Sequence, residues 1–129
     1  MIEAVCVDPK EVGKIWPTVS PLVRRAIDKI GFSSFDVVEK DVLNGFSLVW
    51  LAWDGEKILA AAVTQVHGDV CEICACAGSG LMWWRDLIGK LEDYGRAEGC
   101  ARMRIIGRKG WARVLKKYSQ PCIILERQL

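Results

Sequence analysis

The sequence predicts a single domain of mixed α/β class. Three observations carry that reading. Apolar residues recur at helical spacing from Val12 to Ile30. From Phe46 the period changes to that of strands, with turn signals at Asp54-Gly55 and Gly68-Asp69. A strand, a long amphipathic helix and a second strand then follow one another between Val70 and Ile106, the pattern of a right-handed parallel crossover.

The elements are expected as follows. Residues 2–7 read as a short strand. Asp8-Pro9-Lys10-Glu11 reads as a helix start, with a cap, a proline at the first helical position and an acid three residues after the cap. Pro17 and Pro21 interrupt the stripe that follows, which predicts two short helices or one kinked helix ending at Gly31. Ser33 or Ser34 can cap a second helix bearing Phe35, Val38, Val42 and Leu43 on one face. Strands are expected at Phe46–Trp53, Lys57–His67 and Val70–Ala77. Gly78-Ser79-Gly80 leads into a long helix with Leu81, Trp84, Leu87, Ile88, Leu91 and Tyr94 buried. A strand at Ala101–Ile106, a short basic helix at 109–117 and a last strand at Pro121–Arg127 complete the chain. The order is β-α-α-β-β-β-α-β-α-β, a mostly antiparallel sheet of roughly six strands.

At 129 residues, with 51% apolar and 26% charged side chains, the composition is that of an ordinary globular domain. No apolar run approaches the ~18 residues that span a bilayer, and Met1–Val5 shows no secretory pattern, so a cytoplasmic location is expected. Net charge is +2, unevenly placed. Residues 1–64 carry seven basic and nine acidic side chains, and residues 65–129 carry eleven and seven. The stretch 101–117 holds Arg102, Arg104, Arg108, Lys109, Arg113, Lys116 and Lys117 with no acid, which points to an anionic ligand.

This order of elements resembles the GNAT superfamily of N-acetyltransferases over nearly the whole chain. The block Gly107–Leu115 resembles short GNAT-like proteins of phages and prophages, which implies a bacterial host cell. The resemblance implies that the fourth and fifth strands splay apart and that acetyl-CoA lies in the gap. The open strand edge would be Ile73, Cys74, Ala75, Cys76 and Ala77. The phosphate cradle would be the amides of Gly78, Ser79, Gly80, Leu81 and Met82, with Arg108 as a cationic partner. It also implies Glu72 as general base and Tyr118 as general acid. The chain departs from the family at Ala75, where glutamine or arginine is usual. Lys109 stands at the asparagine position and Lys116 at the tyrosine position, with Tyr118 displaced by two residues.

Each constellation has a plainer reading. Gly78-Ser79-Gly80 also suits a tight turn, Glu72 a solvent-facing strand residue, and Tyr118 a half-buried aromatic with a wet hydroxyl. His67 is a base by chemistry but sits beside a turn. Strand alternation puts Cys74 and Cys76 on one face and Cys71 on the other, so no metal is expected and the six cysteines read as packed thiols. Trp50 and Trp53 lie on opposite faces, so one of them is left for solvent or a partner, and a homo-oligomer is compatible with that. No aromatic-interleaved basic platform marks a nucleic-acid binder. Two functions remain. One is acetyl transfer from acetyl-CoA to an unidentified amine. The other is a catalytically inactive GNAT-like phage protein acting in assembly or in binding a host protein.

Overall fold

The computed structural model describes residues 2–78 and 83–129. Five strands form one sheet in the order β1-β2-β3-β4-β5: β1 (Glu3–Cys6), β2 (Leu48–Trp53), β3 (Ile58–His67), β4 (Val70–Gly78) and β5 (Arg102–Ile105). The first four pair antiparallel, as the tight connections at Asp54-Gly55 and Gly68-Asp69 require for β2–β3 and β3–β4. β4 and β5 pair parallel, as the intervening helix predicts.

Helices cover both faces. α1 (Val12–Ile30) and α2 (Phe35–Leu43) pack on one side over Val49, Leu51, Ala61, Val63 and Ala75. α3 (Trp83–Ala97) and the short α4 (Trp111–Val114) cover the other, over Trp50, Ala60, Ala62 and Ile73. The predicted helical stripe is the buried one on α3: Leu87, Ile88 and Leu91. Leu81 lies outside the described residues. Trp50 is buried, its indole N–H donating to the Thr64 hydroxyl at 2.9 Å, while Trp53 is partly exposed.

Three expectations are corrected. Of the two expectations for the prolines, two short helices do not form: α1 is one helix through both, because its stripe of Val12, Trp16, Val19, Val23, Ala26 and Ile27 is buried throughout and outweighs the two lost backbone bonds. It starts at Val12; Asp8–Glu11 form a turn ahead of it, in which the Lys10 amide donates to Asp8 Oδ1 at 2.9 Å. Gly31, in the left-handed region with φ 70°, closes it. The strand expected at Pro121–Arg127 does not form, and Ile123, Ile124 and Leu125 stand exposed with no strand beside them. The sheet therefore has five strands, not six.

The third correction concerns β4. Ile73 pairs with Thr64, but Ala75 pairs with Val63, so Cys74 has no partner across the ladder. This is a β-bulge, and it resets the alternation. Cys74 and Ala75 both turn toward α1, whereas Ile73 and Cys76 turn toward α3. Cys74 and Cys76 thus lie on opposite faces of the sheet.

A candidate cleft where two strands part

The sheet opens at one place. β4 and β5 pair at Val70–Arg102, Cys71–Met103, Glu72–Arg104 and Ile73–Ile105, and there the pairing stops. β4 continues to Gly78, paired with β3 alone. The outer edge of Cys74–Gly78 thus faces a gap. A cleft of about 190 Å³ fills that gap, lined by Cys76, Ala77 and Gly78 of β4, Ile105 at the end of β5 and residues 106–108 after it, Trp111 of α4 and the end of α1.

Its charge comes from two directions. Arg25 and Lys29, one helical turn apart on α1, approach from one side, and Arg108 from the other. Among the described residues no acidic side chain lines the cleft. The arrangement suits a ligand with an extended apolar arm and an anionic end: unpaired strand backbone for the arm and cations for the charge.

Gly78 is needed for close packing. A Cβ at this position would lie 2.5 Å from the Ala60 Cβ and 2.5 Å from the Leu59 carbonyl oxygen, so only glycine lets β4 and β3 meet there. Ser79, Gly80, Leu81 and Met82, the rest of the expected phosphate cradle, lie outside the described residues. Gly107 is tight for a different reason: the Trp111 indole lies across it, 2.6 Å from where a Cβ would stand.

Glu72 is not the solvent-facing strand residue that alternation allowed. Its side chain is 18% exposed and sits among three polar neighbours. His67 Nε2 lies 3.7 Å from Oε2, Arg104 Nη1 lies 4.0 Å from Oε1, and the Cys74 thiol donates to Oε2 at 3.7 Å. Glu72 is thus positioned just before the point where the strands separate.

Tyr118 occupies a different surface. Its hydroxyl donates to Glu92 Oε2 on α3 at 2.8 Å, and its ring packs against the cluster under α3. Burial, with the Glu92 bond and charge, raises its pKa and keeps the phenol protonated. It lines a larger groove of about 630 Å³ along β5, which shares Ile105, Gly107, Arg108 and Trp111 with the cleft but not Cys76 or Gly78. The structure brings Cys76, Gly78 and Arg108 together in the cleft, sets Ile73, Cys74 and Ala75 just below it, and unites Glu72 with none of the cleft's lining residues.

Sequence reasoning missed Arg25 and Lys29. Their i, i+4 spacing on the outward face of α1 was a readable signal, but nothing local ties that face to β4. Three thiols on β4 are held protonated by their environment. Burial pushes Cys71 up to about 11 and Cys74 and Cys76 up to about 12, Cys74 being raised further by Glu72. Among the described residues no group of three or more His, Cys, Asp or Glu side chains could hold a metal ion, and no helix is long and apolar enough to cross a membrane.

No protein-family model matches the chain, and no curated protein does. Solved structures do. A predicted acetyltransferase from Clostridium acetobutylicum, determined with acetyl-CoA, superposes with a TM-score of 0.68 at 14% identity, over 100% of this chain and 96% of that one. Glucosamine-6-phosphate N-acetyltransferase from Arabidopsis thaliana gives 0.67 at 12% identity, over 99% and 98%. An aminoglycoside acetyltransferase from an uncultured soil metagenomic sample, in complex with sisomicin, gives 0.67 at 10% identity, over 99% and 96%. At these identities the likeness is one of fold, and the chain has the fold of the GNAT acetyltransferases.

Proposed function

We propose that the chain is an acyl-CoA-dependent N-acyltransferase, with acetyl-CoA as the acyl donor and an amine as acceptor. The observation that carries this is the parting of β4 and β5 beyond Ile73 and Ile105, with Arg25, Lys29 and Arg108 around the cleft it leaves. The unpaired edge of Cys74–Gly78 suits an amide-bearing arm, which can add to it like a strand. The three cations suit phosphate groups.

The bound thioester supplies the electrophilic carbonyl and a thiolate leaving group. The protein's part is positioning, a base and hydrogen-bond donors. Glu72 takes the proton from the attacking amine, directly or through one water. The bulge supports the amide of Cys74 or Ala75 as donor to the developing oxyanion, since Cys74 has no partner across the ladder. Tyr118 is the candidate acid. Its phenol is protonated, but burial and the bond to Glu92 make it a weaker acid, so the role requires it to exchange Glu92 for the departing thiolate.

A second reading has its own observation. Tyr118 is engaged on the α3 side and Ala75 stands where glutamine or arginine is usual, which fits a GNAT-like scaffold, phage-encoded and cytoplasmic, that binds a host or assembly protein without catalysis. Calorimetric titration with acetyl-CoA, with adenosine 3′,5′-bisphosphate as control, separates the two. Micromolar binding supports the transferase. A folded protein that gives no heat at millimolar ligand refutes it and leaves the scaffold.

A further inference from the structure

The groove of about 630 Å³ along β5 is bordered by Glu92 and Arg96 of α3 and by Trp111 of α4. Its size falls within the roughly 300–1,000 Å³ of small-molecule sites. It touches the cleft: Ile105, Gly107, Arg108 and Trp111 line both, and the Trp111 indole lies against Gly107 in their common wall. It also reaches the candidate base. Arg104, another lining residue, stands opposite Glu72 in the ladder, with Nη1 4.0 Å from Oε1. One space thus borders both the donor cleft and Glu72.

Its charge is one-sided. Against six basic side chains the lining carries one acid, Glu92, which accepts from the Tyr118 hydroxyl at 2.8 Å. Arg96, Arg102 and Arg104 pair with Asp93, Asp69 and Glu72. Among the described residues Arg108, Lys109 and Lys117 pair with no carboxylate. Cations around a concavity draw anions into it. Met103, Ile105 and Leu115 give the same space an apolar side.

We infer that this groove is the acceptor site, and that its acceptor is a small primary amine bearing a carboxylate or phosphate group. The inference rests on the transferase reading and names the acceptor class which that reading leaves open. Lys109 and Lys117 line the groove and not the cleft, so they hold the anionic group without occupying the donor's cations. The amine then lies toward Arg104 and Glu72. The surrounding cations disfavour its ammonium form, which leaves the nitrogen lone pair free. In the transfer the nitrogen bonds to the thioester carbonyl carbon and the C–S bond breaks. The amine proton passes to Glu72 and CoA leaves as the thiolate, so an amide and CoA are the products. A polycationic acceptor is repelled by the same wall.

The test offers the full chain, with acetyl-CoA, four α-amines of similar size and different charge: O-phosphoserine, glutamate, serinamide and lysinamide. The expected result is a kcat/KM for O-phosphoserine or glutamate at least about tenfold above both amides, the effect of one charge-assisted hydrogen bond. The better of the two distinguishes phosphate from carboxylate. The preferred amine also binds to protein saturated with CoA, because direct attack needs both ligands bound at once. Lys109→Glu and Lys117→Glu, at exposed positions outside the cleft, remove the preference about tenfold while acetyl-CoA affinity is retained. Acetyl-CoA binding with no preference for the anionic amines overturns the inference and leaves the transferase standing. Displacement of the anionic amine by CoA overturns it too, since the groove then belongs to the donor. If acetyl-CoA does not bind at all, the transferase reading falls and the acceptor role falls with it.

Discussion

Ile73 and Ile105 are the last residues to hold β4 and β5 together. Ile73 is fully buried and sits one residue before the bulge at Cys74, so the separation of the strands starts at a fixed, well-packed point. One strand thus changes within three residues from sheet interior to open edge, and the cleft exists because of that change.

The cations around the cleft should matter for ligand and not for fold, because Arg25, Lys29 and Arg108 are exposed. Reversing any one, as in Arg25→Glu, Lys29→Glu or Arg108→Glu, is expected to weaken acetyl-CoA about tenfold or more, the equivalent of one charged hydrogen bond of ~1.5 kcal/mol. Titration at two salt concentrations checks this, with a weaker salt dependence in each variant.

Gly78 should be intolerant of any side chain. Gly78→Val forces methyl groups against Ala60 and the Leu59 carbonyl, and a loss of about 1–3 kcal/mol in urea unfolding is expected. Gly110→Ala, where a Cβ meets nothing within 4 Å, is the control and should be neutral.

Glu72→Gln keeps shape and removes the base. The acyl-transfer rate should fall by about 10²–10⁴ while acetyl-CoA affinity is retained. Unchanged turnover with a tested amine acceptor would take Glu72 out of the chemistry.

Tyr118→Phe leaves Glu92 without its donor in a half-buried setting, at a stability cost of about 1 kcal/mol. If the phenol is also the acid, turnover falls at unchanged acetyl-CoA affinity. A stability change alone confines Tyr118 to holding α3 against the segment after α4.

Alkaline pH should destabilise the protein through its thiols. Cys74 and Cys76 rise from 9.0 to about 12 on folding, and Cys71 from 9.0 to about 11. Between those values the unfolded chain loses protons that the folded chain keeps, so stability is complete below pH 9 and falls as pH rises toward 12. Urea midpoints between pH 8 and 11 check this, and Cys76→Ala should flatten the curve. At pH 8 a thiol reagent should label the exposed Cys122 promptly and reach the buried Cys71 only on unfolding.

The sequence disclosed features whose cause is local or periodic. The stripe of α3, the hairpin at Asp54-Gly55 and the parallel crossover from β4 to β5 were all legible. Three features depended on packing at a distance. Pro17 and Pro21 leave two short helices or one kinked helix open in the sequence, and the buried face of α1 decides for one helix through them. Cys74 carries no glycine or proline signal for a bulge, so simple alternation misassigned its face. Residues 121–127 have the composition of a strand, but a strand needs an edge to join, and composition says nothing of that. The candidate site was legible in part: Cys76, Gly78 and Arg108, singled out in the sequence, line one cleft, whereas Arg25 and Lys29 reach it only through the packing of α1 on the sheet.

The most direct measurement is amide shift mapping of the isotope-labelled protein on addition of acetyl-CoA. The account predicts saturable shifts concentrated at Cys76, Ala77, Gly78 and residues 105–108, reduced in Arg108→Glu. Shifts confined to the outer groove along Arg102–Arg104 and Tyr118, or no shift at millimolar ligand, would contradict it.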